Sequence, residues 1–133
     1  MPIADDTQVR RAAQAQAEAE RARAAAEAER LALAKREAPN LVSVTAAGCR
    51  CATGHTIVVS CRVQNGARVP VVVSLAAASE TGSLGVSARG NGPSAFRLAP
   101  GQDVVQEVTT YFSALMNCSS CSASECSGSV AAP

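Results

Sequence analysis

The chain has 133 residues, 12 Lys and Arg against 11 Asp and Glu for a formal charge of +1, two Phe, one Tyr, no Trp, one His and six Cys. That length is one domain, or a small domain with an appendage, and excludes a large multidomain enzyme. Near-neutrality removes the basic surplus that binds phosphate backbones, and so few aromatics leave no base-stacking platform, so no nucleic-acid partner is expected.

The charge is unevenly spread. Residues 1–40 hold 14 Ala and most of the charges, with no Cys, Gly or aromatic, whereas all six Cys and all nine Gly lie beyond Asn40. From Asp5 to Glu37 the chain is Ala, Glu, Gln and Arg, strong helix formers with no Gly or Pro among them, and the expectation is one long helix. Asp5, Asp6 and Thr7 suit its start, Lys35 and Arg36 its last turn, and Pro39 ends it. Spacing of three and four runs through Ala12, Ala15, Ala19, Ala22, Ala26 and Leu33, interrupted at Glu29. Such a small-residue seam allows close helix approach but buries little area. The arm is therefore either a solvated spacer or an assembly element that packs on copies of itself or on another subunit.

From Leu41 the apolar period changes to two, the mark of half-buried strands. Val42, Val44 and Ala46 form one inward set, Ile57, Val59, Cys61 and Val63 a second, and Val69, Val71, Val73 and Leu75 a third. Asn65-Gly66 between the last two reads as a turn tolerant of positive φ, and Pro70 belongs on an edge strand or at a strand's start. A weak strand is expected over 84–88. Phe96 and Leu98 share a face, Ala99-Pro100-Gly101-Gln102 turns the chain, and Val104, Val108 and Phe112 lie opposite Val105, Glu107, Thr109 and Tyr111. With a last segment near 118–130, six or seven short strands occupy a span of the size and rhythm of a sandwich.

The run Ile57-Val58-Val59-Ser60-Cys61-Arg62-Val63-Gln64-Asn65, then Val69-Pro70-Val71-Val72-Val73, then Leu98-Ala99-Pro100-Gly101-Gln102 resembles small bacterial immunoglobulin-like domains over roughly residues 41–111. The resemblance implies a β-sandwich and a non-catalytic, extracytoplasmic or assembly role, and it transfers no functional residue. The expected organisation is a helical arm at 1–38, a junction at 39–40, a mainly β, disulfide-stapled, immunoglobulin-like sandwich at 41–130 and a tail at 131–133.

The cysteines follow the pattern Cys49-x-Cys51, Cys61, Cys118-x-x-Cys121, Cys126. A core of Val and Ala is thin, and thin small domains are commonly stapled, each native bridge contributing roughly 2–5 kcal/mol. Three disulfides are the first reading. Cys61, in phase with the inward valines, is matched with Cys118, leaving Cys49 and Cys51 to reach Cys121 and Cys126 in some order among the many pairings that six cysteines allow. The competing reading places one Zn²⁺ on Cys49, Cys51, Cys118 and Cys121 as a binding module. Ser-rich flanks argue against it, and no other cofactor is indicated.

Catalysis is not expected. His55 lies in a loop, where a dyad with Cys51 can only be drawn on paper, and Asp103 and Glu107 read as a turn cap and an outward strand residue. No phosphate loop or nucleophile elbow occurs, and no small-molecule substrate is expected. No apolar run is long enough to span a membrane. The start Met-Pro-Ile-Ala-Asp-Asp lacks the features of a secretory leader, which points to a cytosolic chain, a particle component or a trimmed mature form. Weighed with the cysteines, the localisation expected is extracytoplasmic, with a virion as the alternative. The function expected is a structural subunit of a filament, appendage, virion or surface assembly, self-associating or packing on other subunits through its helix. Its rivals are the zinc module and a monomeric extracytoplasmic ligand-binding domain on a helical spacer.

Overall fold

The computed structural model describes residues 6–52, 55–81, 86–112, 118 and 120–133. Helix α1 (Asp6–Leu41) is followed by seven strands: β1 (Val42–Cys51), β2 (Thr56–Asn65), β3 (Val71–Thr81), β4 (Val86–Asn91), β5 (Phe96–Leu98), β6 (Asp103–Tyr111) and β7 (Cys121–Ala131). The polypeptide divides into two compact units, residues 1–33 and 34–133, so the last turns of α1 belong with the β module.

The helix runs through Pro39 instead of stopping before it. Proline removes the hydrogen bond its own nitrogen would donate to Lys35, yet its φ suits a helix, and two features hold the extra turn. Ala38 is fully buried, with Ala34 one turn earlier packed on the same core. The Gly66 amide donates to the Leu41 carbonyl at 2.9 Å, satisfying one of the terminal acceptors. Lys35 and Arg36 thus lie a turn inside the end rather than in the last turn, which carries no base. Asp5 lies outside the described residues.

All strand pairings are antiparallel, in the order β1-β2-β6-β4-β3, with β5 beside β4 on one edge of β3 and β7 on the other. The β4–β6 link is a single pair, Arg89 with Tyr111, so the sheet folds there into two layers, β1-β2-β6 facing β4/β5-β3-β7. This is a small disulfide-stapled β-sandwich of immunoglobulin-like arrangement. The fold point depends on Gly90: a Cβ there would overlap the Thr109 carbonyl oxygen, so only glycine lets β4 lie against β6.

The core follows the expected alternation except at two places: Ala46, expected inward, is exposed where the β1–β2 register shifts, and Val58, on the opposite face of β2, is buried as well. Ile57, Val59, Cys61 and Val63 from β2, Val71, Val73, Leu75 and Ala77 from β3, with Leu98 and Val108, are buried between the layers. Each large aliphatic side chain so buried contributes roughly 1.5–3 kcal/mol. Pro70 immediately precedes β3, where its missing N–H costs no ladder bond. The weak strand expected from residue 84 appears as β4; residues 84 and 85 lie outside the described residues. The chain between Asn65 and Val71 crosses from one layer to the other, because β2 pairs with β1 and β6 and not with β3.

Candidate functional site

All six cysteines are bridged: Cys49–Cys121, Cys51–Cys118 and Cys61–Cys126, with Cα separations of 6.0, 5.6 and 5.8 Å. The expected Cys61–Cys118 bridge does not form. In the β1–β2 ladder Cys61 is the partner of Ala46, so in order along this layer come Cys51, Cys49 and then the level of Cys61. Cys118, Cys121 and Cys126 meet these levels in the same order on the facing layer. Cys121 and Cys126 alone are about 17 Å apart along an extended strand, so a bridge from Cys61 to Cys118 would have to cross most of the sandwich's length. Cys49 and Cys51 do reach separately across the layers, to Cys121 and Cys118. Those four cysteines are also the ones the zinc reading needs, and their sulfurs are bonded pairwise, leaving no thiolate ligand.

His55, the one histidine, stands edge-on to the Phe112 ring with centroids 5.9 Å apart, and Cys51 is disulfide-bonded, so the two do not form a dyad. Asp103 is not a turn cap. It opens β6 opposite Gln64 in the ladder and meets Arg62 diagonally, receiving hydrogen bonds from Arg62 Nη2 at 2.6 Å and Nε at 3.1 Å, and one from Gln64 Nε2 at 3.1 Å. The hydrogen bond from Arg62 is the main cause holding the Asp103 carboxyl below its ordinary value, and the same bond raises Arg62. Turn capping falls to Gln102, whose side chain accepts from the Ala99 amide at 2.9 Å while its own amide donates to the Ala99 carbonyl. Gly101 at φ +76° takes the position that a Pro-Gly turn reserves for glycine. Glu107 is outward as expected, paired with Arg50 at 3.3 Å.

Asn65 carries more than its place in a turn predicted. No non-glycine residue described has positive φ, and among the described residues only Gly48 and Gly101 do, so Asn65-Gly66 does not use the left-handed region. Asn65 is instead a buried hub. Its amide nitrogen donates to the carbonyls of Val69, Ala99 and Leu98 at 3.1, 3.1 and 3.3 Å, and its side-chain oxygen accepts from the Ala67 amide at 2.9 Å. Two of the three acceptors lie more than thirty residues away in sequence, which is why no local signal reveals them. Gly66 is small for a different reason: a Cβ would sit 2.8 Å from the Leu41 carbonyl oxygen.

The seam residues Ala12, Ala15, Ala19, Ala22, Ala26 and Leu33 are all exposed within the single chain. On the β module, an open depression of about 950 Å³ lies over the middle of β3, where Ala76 and Ala78 are flanked by Arg89 and Asn91 of β4 and by Glu125 and Ser127 of β7. A smaller one of about 240 Å³ adjoins it, extending along β3 to Glu80. Among the described residues, no group of three or more His, Cys, Asp or Glu side chains is placed to hold a metal ion, and no helix is long and apolar enough to cross a membrane. No protein-family model, curated protein or solved structure matches the chain.

Proposed function

We propose that the chain is a non-enzymatic structural subunit of an extracytoplasmic assembly, such as a filament, appendage or surface layer, with a virion as the alternative setting. The observation that carries this reading is the helix: residues 6–33 form an arm about 42 Å long with no buried residue, which therefore adds nothing to its own core. Exposed Val9, Leu31 and Leu33 at its two ends, and the Ala seam between them, gain by packing on another helix or a sheet. The β module supplies a surface hardened by three bridges, which persist in an oxidising compartment and not in a reducing cytosol. The non-enzymatic part of the reading is supported by the bonded state of Cys51 and the aromatic packing of His55.

Sedimentation velocity of the full chain over a concentration series tests the proposal. The wild-type chain is expected to associate, and Ala19→Glu/Ala22→Glu, which places charge in the seam without lowering helix propensity much, to sediment as a monomer with its three bridges intact. A wild-type chain that stays monomeric throughout overturns the assembly reading in favour of a spacer.

A further inference from the structure

We propose that the outward face of β3 is the seat for the α1 arm of a second copy of the chain, a reading that rests on arm-mediated assembly and names the surface the arm meets. In antiparallel pairing, partners in register point to the same side of a sheet. Ala78 is paired with Arg89 on one side and with Glu125 on the other, and Ala76 likewise with Asn91 and Ser127. Two methyl-sized side chains therefore form a floor between longer side chains; the larger depression is also lined by Val44, Thr45 and Ala46 of β1, and it shares Ala78, Arg89 and Glu125 with the smaller one. The side chains flanking the floor stand two strand spacings apart, about 10 Å, close to the diameter of a helix.

The two sides of this groove carry opposite charge, and so do the flanks of the seam. Arg89 projects from the β4 side and Glu125 from the β7 side, both exposed. At 100° per residue, the seam from Ala15 to Ala26 has Glu18 on one flank and Arg23 on the other, while beyond it Arg11 and Glu29 share one azimuth on the Glu18 side. Seated with its alanines on Ala76 and Ala78, the arm sets Glu18 against Arg89 and Arg23 against Glu125. Reversing the helix end for end would oppose like charges, so the pairing also sets its direction. The alanine floor from Ala76 to Ala78 is about 7 Å long and the exposed Glu80 follows it on the same face, so it takes little more than one turn of the roughly 17 Å seam between Ala15 and Ala26. Such a contact is small against the roughly 1,200–2,000 Å² of a stable interface, so the association it supports depends on concentration. Because arm and groove are different surfaces, the contact either propagates head to tail or closes by exchange of arms.

The test is sedimentation velocity on full-length wild type, Ala78→Trp, Arg89→Glu, Glu18→Arg and the double variant Arg89→Glu/Glu18→Arg, each confirmed to hold three bridges by intact mass. Ala78→Trp fills the floor and each single charge reversal opposes like charges, so each is expected to weaken self-association roughly tenfold. The double variant is expected to recover it. If Ala78→Trp and Arg89→Glu associate like wild type while the seam variant Ala19→Glu/Ala22→Glu does not, the seat is overturned and arm-mediated assembly stands. If the wild type is monomeric at every concentration, both fall. Should Ala78→Trp fail to fold, the charge exchange, made at exposed positions, decides alone: no recovery in the double variant overturns the seat.

Discussion

Removing the bridges one at a time should reveal that their loops overlap and that they are not independent: Cys51–Cys118 lies inside the Cys49–Cys121 loop, and Cys61–Cys126 crosses both. The sequence separations are 72, 67 and 65 residues, so by chain entropy any one of them acting alone would contribute about 4.4 kcal/mol. They do not act alone. With Cys49–Cys121 in place, Cys51–Cys118 closes a ring of only about 5 residues and is worth about 2 kcal/mol, whereas Cys61–Cys126 still closes about 17 residues and is worth about 3 kcal/mol. Cys61 is fully buried, so its truncation to Ala adds a cavity cost of about 1 kcal/mol. Cys61→Ala/Cys126→Ala is therefore expected to lose about 4 kcal/mol and Cys51→Ala/Cys118→Ala about 2 kcal/mol, while loss of all three bridges approaches the whole stability of a small domain. Urea unfolding followed by circular dichroism on the oxidised variants, with intact mass confirming the two bridges left, measures both. Equal losses from the two pairs would refute the overlapping-loop reasoning.

Three further outcomes follow from individual contacts. Asn65→Ala strips one donor group from three carbonyls, two of them in buried bonds, and one acceptor from the Ala67 amide, and should cost roughly 3 kcal/mol by the same unfolding assay. Gly90→Ala forces β4 away from the Thr109 carbonyl and should cost roughly 2–3 kcal/mol, whereas Gly92→Ala, whose nearest neighbour is the Leu75 Cβ at 3.2 Å, should cost less. Asp103 is held below its ordinary value in the folded chain, so it binds its proton less readily there than when unfolded. Its contribution is present above the unfolded carboxylate pKa of about 3.9 and is lost as pH falls through the lower folded value. Asp103→Asn should flatten that part of the acid limb of a Tm-versus-pH curve; an unchanged limb would show that the Arg62 contact adds nothing.

Local chemistry made the strand pattern and the composition break legible. Alternating valines placed Ile57, Val59, Cys61 and Val63 inward because a strand has only two faces, and an Ala/Glu/Arg run without Gly or Pro has little option but helix. Six cysteines in a β segment with few large side chains implied bridges, and three are present. Where such reading went astray, a distant partner had intervened. Pro39 reads as a stop, but burial of Ala38 and the Gly66 amide carry the helix two residues past it. Asp103 reads as a turn cap until β2 brings Arg62 beside it.

The primary sequence by itself determined most of the buried positions and which segment was helical, and it favoured bridges over a zinc site for the cysteines, because these depend on residue type and on spacing along one chain. Only the tertiary structure decided which cysteines meet. Cys61 finds Cys126 and not Cys118 because two layers must be laid face to face before a level on one is opposite a level on the other. The same holds for the groove over Ala76 and Ala78, whose flanking Arg89 and Glu125 lie 36 residues apart in sequence and come to either side of Ala78 only when β4 and β7 pair with β3.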